Sequence, residues 1–449
     1  ALNNFSLQNI SGALNTISQL EDEALLEQAY RASYDFLRDV STSVLIVNLP
    51  EHQENEGLVL ALKSQLAKRT VLSAGEQKVF DQIKDLDFST EGDKKFERKS
   101  NQVLDIAVLL PFNYNGGSGV RRLDGNNFVF DLYKGIKMAA EEAKNAGLRV
   151  EIRTFDTERK PEVLNKILTD PFMQVADIIL GPIYPEESEQ VAAFAETRQI
   201  PFVNPLSNIS LGRASMDYSY LFRPSVSTLS EGILNHNKKL PGKRIAVAYS
   251  ATSRDELLAR QYGEAAARAG FQVVANRKVS ARDMRSFFNN LGLESASPGV
   301  DQIVIFSDDP NIAAPTFAVV ESLSANIPIL VMDSWLYFNF ASYEMLDVQN
   351  FHFVGNNTVS FNKEEVAAFR ESFFERFNVY PDLNAHLGYE IIRWISSVIN
   401  QQRGFDFQDN LNDKGFQEGV LTFGFDFKGS TSNKYVPILN LQEGILEVE

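Results

Sequence analysis

The sequence predicts an α/β protein of two Rossmann-like lobes carried behind an N-terminal α-helical segment. Three observations predict it. From residue 103 onward, apolar strand-like runs alternate with amphipathic helical stretches, the pattern of a parallel sheet covered by helices on both faces. That alternation stops near Arg223 and restarts at Arg244, so two α/β halves of similar size follow one another. The length, 449 residues, exceeds what one hydrophobic core holds.

Residues 1–100 differ from the rest. Leu20, Ala24, Leu25, Ala29, Tyr30 and Tyr34 recur at helical spacing, and Leu58, Leu60, Leu62, Leu66 and Val71 do so more loosely. Ser73 followed by Glu76 has the spacing of a capping box and opens another helix. A helical linker and the remnant of a helical-repeat domain both fit, and no repeat period is visible. Residues 88–101 are polar and charged and are expected to form a linker.

Residues 103–111 (VLDIAVLLP) form an apolar run ended by proline, as in a buried parallel strand. A loop rich in Asn and Gly covers 113–127. Helical spacing then runs over 130–146 and stops at Gly147. The first half continues with a strand at 150–155, a helix at 161–168, a strand at 176–180, a helix at 186–197 and a strand at 201–203. The second half reads strand 244–249, helix 255–269, strand 271–275, helix 282–291, strand 302–306, helix 313–324 and strand 329–332. Two further helices, 364–377 and 386–401, are expected to return to the first half. Residues 420–427 and 435–441 are expected to pair as a closing hairpin, with a short strand at 445–448. The expected division is therefore a first lobe of about 103–225 plus 360–402 and a second of about 230–335 plus 420–449. Open α/β sheets bind ligands outside the carboxyl ends of their strands, so a site is expected in the cleft between lobes.

Composition narrows the function. The formal charge is −16 and the pI about 4.9, a surface that repels phosphate backbones, so nucleic acid is not expected as a partner. There is no cysteine, which excludes thiol catalysis and Cys-based zinc sites. No apolar run approaches the roughly 18 residues of a membrane span. The chain begins at Ala1 with no signal peptide, so it reads as processed or cut; in a lipoprotein the lipid-bearing cysteine would stand just upstream.

The stretches VLDIAVLLPF (103–112), YKGIKMAAEEAKNAG (133–147), ADIILGPIYPEESEQVAAFAETRQIPFVNPLSN (176–208), YLFRPSVSTLSEG (220–232), ILVMDSW (329–335) and YEIIRWISSVI (389–399) resemble, in order and spacing, the type I periplasmic binding proteins. The resemblance covers about three quarters of the chain. It is nearest to the binding-protein-like domains of Bacteroidota cell-envelope proteins known as amino-acid transporter binding proteins, and extends more weakly to lipoprotein activators of peptidoglycan synthases of the LpoA type. It implies a hinged two-lobed fold, a periplasmic location and, for lipoprotein members, attachment to the outer membrane.

No catalytic constellation is readable, and no cofactor is expected. His52, His236, His352 and His386 each stand alone, without metal-ligand spacing, so no metal site is expected. There is no Gly-x-Ser-x-Gly elbow, and Gly116, Gly117 and Gly119 precede their helix by too many residues to cradle a phosphate at its N-terminus. Asp308 and Asp309 could share a proton or hold a cation, or Asp309 could cap the helix that Pro310 opens. Cleft candidates come from strand ends: Asn113, Tyr184, Ser207 and Asn208 in the first lobe, and Asp308, Asp333 and Trp335 in the second. The resemblance puts Asp333 where a polar group faces an amine. Trp335 could stack on a ligand or simply pack. In amino-acid-binding members the stretch after the glycine of 176–208 contributes to carboxylate binding. Here it reads Gly-Pro-Ile-Tyr-Pro-Glu; Pro185 offers no N–H and Glu186 adds negative charge, so free amino acids are expected to bind weakly. The expectation is thus a non-catalytic envelope module that docks a protein partner, with a solute-binding protein closing on a small polar ligand as the alternative.

Overall fold

The computed structural model describes residues 4–5, 9–38, 40–67, 69, 72–84, 86, 103–114, 127–211, 216–293, 298–322, 326–341, 346, 349–398 and 407–449. The expected linker at 88–101 and most of the Gly-rich loop lie outside them.

The first sheet comprises β1 (Leu104–Leu110), β2 (Val150–Asp156), β3 (Ile178–Leu180), β4 (Phe202–Asn204) and β5 (Ser219–Pro224). The second holds β6 (Arg244–Tyr249), β7 (Gln272–Lys278), β8 (Gln302–Phe306), β9 (Ile329–Met332) and β10 (Phe351–Val354). The tail adds β11 (Phe416–Gln417), β12 (Phe425–Asp426), β13 (Ser432–Asn433), β14 (Ile438–Gln442) and β15 (Ile445–Val448). Strand order is β13-β5-β4-β3-β1-β2 in the first sheet and β15-β14-β10-β9-β8-β6-β7 in the second.

β1 is buried along its whole length because helices cover both faces of its sheet. Alternate residues serve opposite faces. Leu104, Ile106, Val108 and Leu110 pack toward helices Asn127–Asn145 and Leu383–Val398, whereas Ala107 and Leu109 pack toward helices Pro161–Leu168, Pro171–Val175 and Pro185–Arg198. The first pair of helices approaches closely because glycine meets backbone on each. A Cβ added at Gly388 would lie 2.0 Å from the Leu132 carbonyl oxygen, and one at Gly135 would lie 2.0 Å from that of Ala385. Helices Glu364–Phe377 and Leu383–Val398 contribute Val366, Phe369, Phe373, Ile391 and Trp394 to this same core.

The end of the chain departs from expectation. Residues 420–427 do not pair with 435–441. Leu421, Phe425 and Phe427 enter the first lobe's core; β12 pairs with β11, and β13 runs parallel to β5. The closing hairpin is instead β14 with β15, at the edge of the second sheet. The physical reason is burial: Phe222, Trp394, Phe425 and Phe427 stack on one another, and that aromatic contact is available only in the first lobe. β5 and β10, which sequence pattern did not mark as strands, each add a rung next to a crossing between lobes.

The N-terminal helices form a core of their own around Leu14, Tyr34, Leu45, Leu58 and Leu62. Ser73 and Glu76 make the reciprocal bonds of a capping box, Ser73 N–H to Glu76 Oε2 at 2.9 Å and Glu76 N–H to Ser73 Oγ at 3.3 Å. This segment rests on the first lobe. Arg153 of β2 donates to Ser64 Oγ at 3.0 Å and to Asp170 at 2.9 Å, and Val175 packs against the helical core. Helix Glu56–Ala67 thereby covers part of the flank of edge strand β2, whose residues after Val150 stay half-buried.

Candidate functional site: the strand ends at the lobe junction

The chain passes between sheets after β5, after β10 and after β13, and asparagines bind these crossings together. Asn208 Nδ2 donates to the Pro224 carbonyl at 2.6 Å and to Asn356 Oδ1 at 2.8 Å. Asn357 donates to the Phe222 carbonyl at 3.0 Å and accepts from Asn433 Nδ2 at 3.0 Å. All four asparagines are buried. An amide can donate and accept at once, which suits a crossing where carbonyls and amides have no ladder partner. Asn208, expected as a ligand contact, spends its amide N–H groups on the crossing in this geometry.

On the first-lobe side, the end of β1 turns at Asn113, which holds a φ of 56°. Asp156, at the end of β2, accepts the N–H groups of Asn113 and Tyr114, both at 3.0 Å. Gly181 after β3 also has positive φ, and a Cβ there would sit 2.1 Å from the Leu109 carbonyl oxygen, so only glycine fits. Tyr184 occupies the N-cap of helix Pro185–Arg198 and lies under the Arg159 guanidinium, 3.8 Å from the ring centroid. Glu186 is exposed at that helix start, and it is Glu187 that turns inward. Burial pushes the Glu187 carboxyl up, against the opposing pull of Thr157 and Arg159. Ser207 closes a local turn: its Oγ accepts from Ile209 N–H at 3.0 Å, and its own N–H donates to Asn204.

On the second-lobe side the ends of β6, β8 and β9 bring charges together. Arg254 pairs with Asp255 and with Asp308. Burial opposes its charge, but the two carboxylates outweigh burial and raise its pKa. Desolvation likewise disfavours ionisation of Asp308, and Arg254 overrides it, holding that carboxyl below the ordinary range. Asp309 caps helix Pro310–Glu321 through Asn311 N–H at 2.8 Å. The two aspartates therefore do not share a proton: one pairs with arginine and the other caps a helix. Asp333 is buried, and burial raises its pKa even though Thr358 Oγ1 donates to it at 2.5 Å and Asn356 N–H at 3.1 Å. Trp335 is wholly buried, donates Nε1–H to the Ser307 carbonyl at 2.6 Å and packs edge-on against Phe317. Of its two expected readings, stacking on a ligand or packing, the burial of the ring fits packing.

Arg223, at the end of β5, went unmarked in the sequence reading although it stands in a stretch that carries the resemblance. It is half-buried between the lobes and donates to the Leu206 carbonyl at 3.4 Å. Its Nε is buried with no hydrogen-bond partner among the described residues. Burial lowers its pKa, while Asp333 and Asp308 pull the other way. A separate pocket of about 520 Å³ opens at the opposite end of the first sheet, lined by Ser219, Tyr220, Gln408 and Thr431 among others. Arg223, Arg254, Asp308 and Asp333 are not part of its lining.

A search among solved structures finds the same architecture repeatedly. A branched-chain amino acid ABC transporter protein from Rhodospirillum rubrum is 14% identical, with a TM-score of 0.60 over 77% of this chain and 100% of that one. A substrate-binding protein from Desulfitobacterium hafniense in complex with Leu is 16% identical, with a TM-score of 0.53 over 77% and 99%. A branched-chain amino acid binding protein from Streptococcus pneumoniae in complex with isoleucine is 17% identical, with a TM-score of 0.50 over 77% and 98%. No curated protein sequence matches the chain. The family model for periplasmic binding proteins matches residues 131–412, most of both lobes, and this chain belongs to that family.

Proposed function

We propose that the protein is a non-catalytic solute-binding protein whose lobes close about the asparagine hinge on a small polar ligand, an amino acid, peptide or sugar. The observation that carries this is Arg223, a half-buried cation at the lobe junction with an unused Nε–H, set against the carboxylates of Asp308 and Asp333. A ligand offering an acceptor to Arg223 and a donor to the aspartates would satisfy both sides of the junction at once. Solute binding in similar structures supports the same reading over the docking role that Pro185 and Glu186 suggested. The family and the absence, among the described residues, of any helix long and apolar enough to cross a membrane fit work in the periplasm.

Calorimetric titration of the whole chain with amino acids, short peptides and sugars tests this. At least one class gives saturable 1:1 binding, and Arg223→Ala weakens it roughly ten- to a hundredfold, the worth of one hydrogen bond to a charged group. Silence across all three classes, or binding indifferent to Arg223, would sink the proposal.

A further inference from the structure

Far along the sequence from one another, His236 near the end of helix Val226–Asn237, His352 of β10 and Glu449 beyond β15 come together on the second lobe. One ligating atom from each lies within 4.8 Å of the others. The two imidazoles are 5.0 Å apart between ring centres, and both histidines are buried. The Nε2 of His236 is buried without a hydrogen-bond partner and stands 3.4 Å from Glu449 Oε2. At the other histidine, Nδ1 lies 2.6 Å from Glu449 Oε1 and Nε2 lies 3.1 Å from Asn350 Oδ1. Both nitrogens of that ring therefore face oxygen acceptors. A neutral imidazole has only one N–H, so the Nδ1 position beside Glu449 is open to a metal ion in place of a proton.

We propose that His236, His352 and Glu449 bind a divalent transition-metal ion, zinc by the chemistry of the donor set. Two imidazoles and one carboxylate are a known three-ligand set for tetrahedral zinc, with water in the fourth position. Metal–ligand bonds of about 2.0–2.1 Å give a tetrahedral edge of about 3.4 Å, and the His236–Glu449 separation already has that length. In the metal-bound form Asn350 Oδ1, 3.1 Å from Nε2 of His352, would take that nitrogen's proton and leave Nδ1 as the lone-pair donor, the usual work of an outer-shell partner. Lys239 sets a positive charge near the cluster, which works against a bound cation. The bound ion would fasten the closing hairpin to the helix that leaves the hinge, tying the edge of the second sheet to the element nearest the crossing.

The test uses the whole chain without a histidine tag, stripped with a chelator and titrated with zinc chloride alone. One zinc per chain binds and the thermal midpoint rises. Asn350→Ala weakens binding roughly 10–100-fold, and His236→Ala or His352→Ala weakens it further. If the histidine variants fail to fold by circular dichroism, Glu449→Gln at the rim carries the test, with a loss of affinity expected. Wild-type protein that takes up no stoichiometric zinc, or uptake unchanged by Glu449→Gln and by the folded histidine variants, would overturn the proposal.

Discussion

The side chains of Asn208 and Asn356 meet at 2.8 Å, one from each side of the lobe junction, and Asn208 also secures the Pro224 carbonyl where the chain first crosses. Asn208→Ala leaves Asn356 Oδ1 and that carbonyl short of a buried donor. The expected cost is about 1–3 kcal/mol, read as a lower urea midpoint with an unchanged slope. An unaltered midpoint would show that water or a neighbour replaces the amide.

Gly388 and Gly135 set how closely their helices approach. Gly388→Ala gains up to about 1 kcal/mol of helix propensity but drives a methyl group into the Leu132 carbonyl, and backbone atoms cannot rotate aside. A net loss of about 1–3 kcal/mol is expected by thermal unfolding. A variant as stable as the wild type would mean that the helices part without penalty.

Arg254 is the cation between Asp255, which is fully buried, and Asp308. Its removal leaves the Asp255 carboxylate, among the described residues, with the Ser250 hydroxyl at 2.6 Å. Arg254→Ala should cost about 3–5 kcal/mol, the usual result of stripping one partner from a buried pair. Denaturant titration checks it, and Asp255→Asn placed on the same background should recover part of the loss.

His386 is held neutral by burial, with its pKa lowered to about 4 despite the Asp382 carbonyl beside Nδ1; Arg370 adds to the lowering. In the unfolded chain the ring titrates near 6.5. The unfolded state therefore binds the proton first as pH falls. The contribution of this group is whole above about pH 6.5 and is lost progressively toward pH 4, up to roughly 3 kcal/mol. His386→Gln should flatten stability against pH across that window relative to wild type. Some slope remains, because His236 shifts in the same direction.

Local chemistry was legible in the sequence. The largely apolar run of β1, the helical spacing that ends at Gly147, the Ser73–Glu76 cap and the alternation of strand with helix each rest on neighbours a few residues away, and those interactions form wherever the chain is placed. The two α/β halves followed from that alternation. Contacts between distant residues were decided only by the tertiary structure. Phe425 and Phe427 go to the first lobe because Trp394 and Phe222 wait there, not because their own stretch differs from a hairpin strand. Trp335 is core and not cleft because Phe317 and Phe351 close over it. Arg223 gains meaning only beside Asp308 and Asp333, and the asparagines 208, 356, 357 and 433 only where three crossings converge. His236 and His352 stand alone in the sequence and share one carboxylate in space. Periodicity carries information over a helical turn or a strand pair. Which buried polar groups face one another depends on how whole sheets and helices dock, and no local spacing encodes that.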